Sequence, residues 1–357
     1  MNKFFKYGFS ALALSALPLS ATEKSSSSNE QVSTEKTTEE TEVVEAPNYS
    51  KLIPIKNWTR LSGDSATTLK EWKRWWTYLR MKKPVIMNWI NGLKIRIYPK
   101  NEVFRALYVA GIYDPNVAVV INSLLPLKGV FIDVGANMGY LSMIASKTVG
   151  ELGKVYALEP SKRDFLRLVD NINLNDLKNV YSYQLAVLDA DKKLEMNIAG
   201  EERSALNTFG KEFGYRGIEK LGTEMVQAVT IDGFVDTESI EKVDLIKLDI
   251  EGSELLALKG ARDTIEKFRP AIILGLNKEA FIANGYNVED LKKLLQELRY
   301  KAYVLAESPF FAFKEVNNIA AIHARFVICM HESIIPPVLP QFVEKTWQES
   351  VSEFFSR

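Results

Sequence analysis

Residues 130–333 predict an α/β domain, a doubly wound, mostly parallel sheet with helices on both faces, preceded by a Trp-rich N-terminal prefix subdomain. Two observations carry this prediction. Short apolar runs alternate with longer stretches of helical spacing, and a parallel sheet covered on both sides buries such runs completely. The first run also ends in a glycine turn, at the sheet edge where open α/β folds bind their ligands.

The runs are 130–134 (VFIDV), 155–159 (VYALE), 180–187 (VYSYQLAV), 243–249 (VDLIKLD) and 271–276 (AIILGL). Leu141, Ile144 and Ala145 recur at helical spacing after the first, and Phe165, Leu168, Val169 and Ile172 after the second. Residues 188–235 break the rhythm with LEMNI and VQAVTI around several glycines, which predicts an insertion over one rim of the sheet. After a helix over 288–298, KAYVLAE and AAIHARFVICM stand too close together for a helical crossover and predict an antiparallel pair at one edge. Upstream, residues 49–129 hold five of the six tryptophans, a hairpin around Asn91-Gly92 and a helix after Asp114-Pro115.

The ends of the chain carry other signals. Residues 1–21 combine Lys3 and Lys6 with an apolar stretch and small residues, the pattern of a signal peptide or membrane anchor. Residues 22–48 have seven Glu, five Ser and five Thr but no aromatic residue, the composition of a disordered linker. Residues 334–357 place Phe342, Val343, Trp347, Val351 and Phe354 at the spacing of a docking helix. In residues 68–83, Leu69, Trp72, Trp76 and Leu79 share one helix face among Lys and Arg. Packing of those tryptophans onto the sheet is the simpler expectation; peripheral contact with an anionic membrane is the other.

Composition removes several classes. With 357 residues, 46% apolar and 25% charged, the chain is neither disordered throughout nor collagenous. Its 45 basic residues balance 45 acidic ones, so no global field selects nucleic acid. One cysteine and two histidines are too few soft ligands for a structural zinc, and no metal is expected.

Two constellations carry the chemistry. In VFIDVGANMGYLS, a strand ends in Asp133 and turns through Gly135, Asn137 and Gly139 into a helix, whose free N–H groups suit a polar or anionic ligand group. The glycine spacing is not the G-x-G-x-x-G of dinucleotide enzymes. Glu159 closes the next strand, where a carboxylate can accept both hydroxyls of a ribose. In LIKLDIEGSELLALKGA, Lys247, Asp249, Glu251 and Glu254 gather at the end of the fourth strand. Lys247 and Asp249 are two apart, so they share a strand face, and a buried charged pair is costly unless paired or functional.

At these residues the chain resembles the FkbM-type methyltransferases, class I enzymes dependent on S-adenosylmethionine. The resemblance runs from about Gly111 to Leu305 through Tyr113-Asp114-Pro115, FIDVGANMGYLS, VYALEP, NINLN (171–175), Ala186-Val187, TIDGF (230–234), LIKLDIEGSELLALKGA and RPAIIL. It implies a Rossmann-like sheet of seven strands with the last antiparallel. It implies that Asp133, Gly135, Asn137 and Gly139 hold the methionine portion of S-adenosylmethionine, Glu159 the ribose and Ala186 the adenine surroundings. The helix after Tyr113-Asp114-Pro115 would close over the cofactor. Lys247, Asp249 and Glu251 would flank the sulfonium and a small-molecule or glycan acceptor, the family's acceptors being mainly hydroxyls of sugars and natural products. Asp249 is the first candidate for the proton acceptor, Glu251 the second and His323 a remote third, with Lys247 holding Asp249 ionised.

One position departs from the pattern: Gly275 stands where the family usually ends its fifth strand with an acidic residue. A signal at 1–21 also sits awkwardly with a cytoplasmic methyl donor. An exported or membrane-tethered protein, a tethered enzyme with its domain in the cytoplasm, and an exported glycan-binding protein on an inactive scaffold all stay open, as does the oligomeric state.

Overall fold

The structure, a computed structural model, describes residues 65–210, 213, 217–306, 312–334, 336 and 337. The expected leader (1–21), linker (22–48) and nearly all of the C-terminal helix (334–357) lie outside them.

The prefix subdomain begins with α1 (Ser65–Leu79), followed by the hairpin β1 (Val85–Asn88) and β2 (Lys94–Ile97), then α2 (Glu102–Ala110) and α3 (Pro115–Leu124). The hairpin pairs antiparallel about Asn91-Gly92, both at positive φ, as the Asn-Gly signal requires. It is moored to the domain by the asparagines of NINLN. Asn171 Oδ1 accepts the Arg96 N–H (3.0 Å) and its Nδ2 donates to the Met138 carbonyl (3.0 Å). Asn175 brackets Lys94 through its N–H (2.6 Å) and its carbonyl (2.7 Å).

The domain proper alternates as expected: β3 (Val130–Val134), α4 (Tyr140–Val149), β4 (Lys154–Leu158), α5 (Lys162–Leu174) and β5 (Val180–Tyr183). The insertion contributes β6 (Ala186–Val187), β7 (Lys192–Ala199) and β8 (Lys220–Val229). Then follow α6 (Ile231–Thr237), β9 (Leu245–Leu248), α7 (Glu254–Lys259), α8 (Arg262–Phe268), β10 (Ala271–Gly275), α9 (Lys278–Ala283), α10 (Val288–Glu297), β11 (Tyr300–Ala306), β12 (Ala312–Glu315) and β13 (Phe326–His331).

The main sheet runs β5-β4-β3-β9-β10-β13-β11-β12. From β5 to β10 the pairing is parallel, and β13 enters antiparallel between β10 and β11. The chain leaves β3 toward β4 and later returns to β9 on its other side, so the carboxyl ends of β3 and β9 form the switch point where such sheets open a crevice. The predicted edge pair is β11 with β13. The sheet has one strand more than the seven implied, because β12 folds back onto β11.

The run 180–187 is not one strand. It leaves the main sheet after Tyr183, and Ala186-Val187 pairs parallel with β8. The small sheet β6-β8-β7 has its own core of Ala186, Leu188, Met196, Val226 and Ala228, so burial of Ala186 and Leu188 there competes successfully with extension of β5.

Candidate active site

The turn from β3 into α4 is built on glycine for steric reasons. Gly135 has φ +75°, and a Cβ there would lie 2.2 Å from the carbonyl oxygen of Asp249. Gly139 has φ +85°, and its Cβ would meet Leu168 Cδ1 at 2.3 Å. The loop therefore rests directly on the end of β9 and on α5, with Asn137 at φ +51° between the two glycines. From the neighbouring strand end, Glu159 fixes this loop: Oε2 accepts the Asn137 N–H (2.8 Å) and Oε1 the Ser161 N–H (2.9 Å). Burial, and after it the charge of Asp164, raises the Glu159 carboxyl above its ordinary value; the two amides oppose that shift.

Gly135, Asn137, Glu159 and Ala186 line one pocket, together with Leu185, Met196 and Phe209. Asp133 and Gly139 do not line it. Gly139 is a close-packing position, and Asp133 is fully buried, with Ser142 Oγ donating to Oδ2 (2.6 Å) and Lys247 Nζ to Oδ1 (3.1 Å).

That ion pair corrects the expected partnership of Lys247 with Asp249. β3 and β9 are parallel neighbours with Asp133 opposite Lys247, so the ammonium meets Asp133 across the strands. It also donates to the Gly135 carbonyl (3.0 Å) and so holds the glycine turn from below. Desolvation lowers the Lys247 pKa, but Asp133, and after it Asp249, outweigh it and the net shift is upward. Asp249 pairs instead with Arg325, Nη2 to Oδ2 at 3.5 Å.

Arg325 was not legible as a site residue. β13 runs antiparallel, so the residue just before it arrives at the carboxyl edge of the parallel strands. Its other nitrogen donates to the Tyr113 hydroxyl and reaches Asp114 (3.3 Å), and its guanidinium lies 5.1 Å from the Tyr113 ring centroid. Asp114, the residue before α3 with φ +49°, is pushed up to about 6, by burial first. Tyr113 lines the pocket and no residue of α3 does, so the turn, rather than the helix the resemblance pointed to, faces the site.

Glu251 sits at φ +46° in the loop after β9 and is 9% exposed. Glu254 staples this loop by accepting the N–H groups of Ile250 (2.9 Å) and Gly252 (3.0 Å), and burial pushes its carboxyl up to about 8. Glu251 Oε2 accepts from Asn277 Nδ2 (2.8 Å), and its carbonyl accepts from Thr208 Oγ1 of the insertion (2.9 Å). Burial first, and Asp249 second, raise the Glu251 carboxyl. Lys247, Asp249, Glu251 and Arg325 all line the same pocket as Glu159. Met196, Ser204, Asn207 and Phe209 of the insertion also line it; a rim segment without a motif gave no signal for them. His323 is exposed and does not line the pocket. Among the described residues, no group of three or more His, Cys, Asp or Glu is arranged to hold a metal.

Gly275 has a local explanation. A Cβ there would lie 2.8 Å from Asp249 Oδ1 and 3.4 Å from Glu254 Oε1, so the bare backbone makes room for the two carboxylates.

The strand order, with one antiparallel strand beside β10 and a glycine turn and an acidic strand end at the switch point, defines the class I, S-adenosylmethionine-dependent methyltransferase fold. Residues 133–305 match the family described as Methyltransferase FkbM domain. It is similar to the methyltransferase sdnD of Sordaria araneosa, with 29% identity over 161 residues, covering 38% of this chain and 61% of that protein. It is also similar to the hexuronic acid methyltransferase AglP of Haloferax volcanii, with 25% identity over 171 residues, covering 47% of this chain and 61% of that one. The match thus spans about three fifths of the length of each curated relative. Among solved structures, an FkbM methyltransferase from Methylobacillus flagellatus superposes with a TM-score of 0.37 at 15% identity, covering 74% of this chain and 60% of that chain.

S-adenosylmethionine is the cofactor of this class, and the pocket fits it. The cradle at Gly135 tolerates no side chain, each oxygen of Glu159 keeps a second lone pair for a ribose hydroxyl, and Leu185, Ala186, Met196 and Phe209 offer an apolar wall to a purine.

Proposed function

We propose that the domain transfers the methyl group of S-adenosylmethionine to a hydroxyl oxygen of a sugar or natural-product-like acceptor. The observation that carries this reading is the buried Glu251 carboxyl, beside Asp249, in the same pocket as the Gly135–Glu159 cradle. When bound, S-adenosylmethionine supplies an electrophilic methyl carbon. Gly135, Asn137, Glu159 and Ala186 would hold it, and Lys247 would act through Asp133 and the turn.

An acceptor hydroxyl must lose its proton as its oxygen attacks. Both carboxylates line the pocket, and Asp249 is already held in an ion pair with Arg325 (3.5 Å). Glu251 is made more basic by burial and by Asp249. Glu251 is therefore our proton acceptor, with Asp249 and Arg325 positioning the acceptor and tuning Glu251. The name of one relative, a hexuronic acid methyltransferase, supports the carbohydrate class.

The test is thermal unfolding of the full chain with and without S-adenosylmethionine, followed by transfer of labelled methyl to a panel of sugars. Ligand at ~100 times its Kd should stabilise the protein by about 2.7 kcal/mol, an effect lost in Glu159→Ala. Label should appear in base-stable ethers. Cooperative unfolding with no ligand response sinks the reading; a response without transfer to any hydroxyl leaves a cofactor-binding domain that is not an O-methyltransferase for these acceptors.

A further inference from the structure

α1 presents its faces in reverse. Its inward side carries Tyr78, 3% exposed, whose hydroxyl donates to the Asn101 carbonyl (2.6 Å) and accepts the Asn101 N–H (2.9 Å). Its outward side carries Trp72, Trp75, Trp76 and Leu79, at 59%, 41%, 42% and 54% exposure. The expectation that these tryptophans pack onto the sheet is therefore corrected: the place against α2 is taken by Tyr78, whose ring lies tilted against Tyr108 with centroids 6.0 Å apart.

An i, i+3, i+4, i+7 stripe of this kind is ordinarily a core-facing stripe. Exposed in a cluster, it marks a surface that meets something apolar. The surrounding charge says what. No acidic residue occurs from Trp72 to Lys83, while Lys73, Arg80, Lys82 and Lys83 are all exposed on that segment. Trp72 and Trp76 stand edge to face at 5.5 Å, and Arg80 lies over Trp76 at 5.6 Å. The two rings join Met81, Val85 and Tyr108 in a groove edged by Lys73 and Arg80.

Indole rings flanked by lysine and arginine suit the headgroup level of a bilayer, where rings enter the acyl boundary and cations meet lipid phosphates. We propose that the outward face of α1 is a docking surface for an anionic phospholipid membrane. It lies outside the segment 133–305 that matches the methyltransferase family and stands independently of the catalytic reading.

Co-sedimentation of the full chain with vesicles tests this. One set is phosphatidylcholine alone; the other contains about one third phosphatidylglycerol, with and without brominated acyl chains. The expected result is binding to the anionic set only, weakened by salt, with quenching of tryptophan emission by the brominated lipid. Each basic residue near an anionic surface is worth roughly fivefold, so the double variant Lys73→Gln, Arg80→Gln should bind about 25-fold more weakly. Trp72→Ser, Trp76→Ser should lose both binding and quenching while keeping the wild-type unfolding midpoint. Failure to bind anionic vesicles, equal binding to the neutral set, or wild-type binding by both double variants overturns the proposal. The first of these is the result for a face that serves a protein or a glycan instead.

Discussion

Two oppositely charged side chains leave the end of β9 on one side, and the fold uses them differently. Lys247 is 2% exposed and locked to Asp133 and the Gly135 carbonyl; Asp249, two residues on, lines the open pocket with Arg325 3.5 Å away. Spacing along the strand puts both on one face, but the partner of a buried charge is chosen across the strands. The Lys247–Asp133 pair supports the site from beneath, and the Asp249–Arg325 pair belongs to the site itself.

The largest expected effect breaks the buried pair. Lys247→Met leaves Asp133 without its counter-ion at zero exposure, which should cost about 3–5 kcal/mol in urea unfolding. Arg325→Gln, at a side chain 39% exposed, should cost no more than about 1 kcal/mol. Equal losses would erase the distinction.

Next in size is the chemical step. Glu251→Gln should lower kcat by about 100-fold or more, with S-adenosylmethionine still shifting the unfolding midpoint. The base must be ionised to act, so wild-type rates should rise with pH along a limb displaced above the ordinary carboxylate value of 4.5, because burial and Asp249 favour the protonated form. Asp249→Asn removes one of those causes and should move the limb toward acid. An unmoved limb would assign the titration elsewhere.

Stability should run opposite to activity. Glu254 is pushed up to about 8 by burial from an ordinary 4.5, so between those values the folded state binds more protons than the unfolded one. Its contribution is fully present below about 4.5 and is lost as pH rises through 8, so the unliganded protein should have a lower unfolding midpoint at alkaline than at mildly acidic pH. Glu254→Gln should flatten that slope.

Much of this was legible in the sequence for identifiable reasons. The parallel strands β3, β4 and β10 are buried on both faces, except for Lys154 at the start of β4, so they read as apolar runs, and Gly135 and Glu159 fall just past the ends of β3 and β4 by topology. The division of 180–187 was hidden, because nothing local distinguishes one buried strand from two that join different sheets. Arg325 was hidden because its place depends on the direction of β13, which only pairing decides. The stripe on α1 misled because an aromatic face has the same periodicity whether it meets a core or faces outward.

The smallest effect is the most selective. In Gly275→Ala the new Cβ would press on Asp249 Oδ1 at 2.8 Å, the free end of a side chain that can swing aside, so little stability should be lost. The swing takes Asp249 from its position beside Arg325 and Glu251. We expect an unfolding midpoint close to wild type, unchanged response to S-adenosylmethionine, and a rise of a few-fold in KM for the acceptor. Gly135→Ala should behave oppositely, since its Cβ meets a backbone carbonyl at 2.2 Å that cannot swing, and cofactor response should fail first. If the two alanines proved alike, the pocket would be one continuous unit; if they separate as argued, the cofactor half is held by backbone contacts and the acceptor half by side chains free to adapt to what they bind.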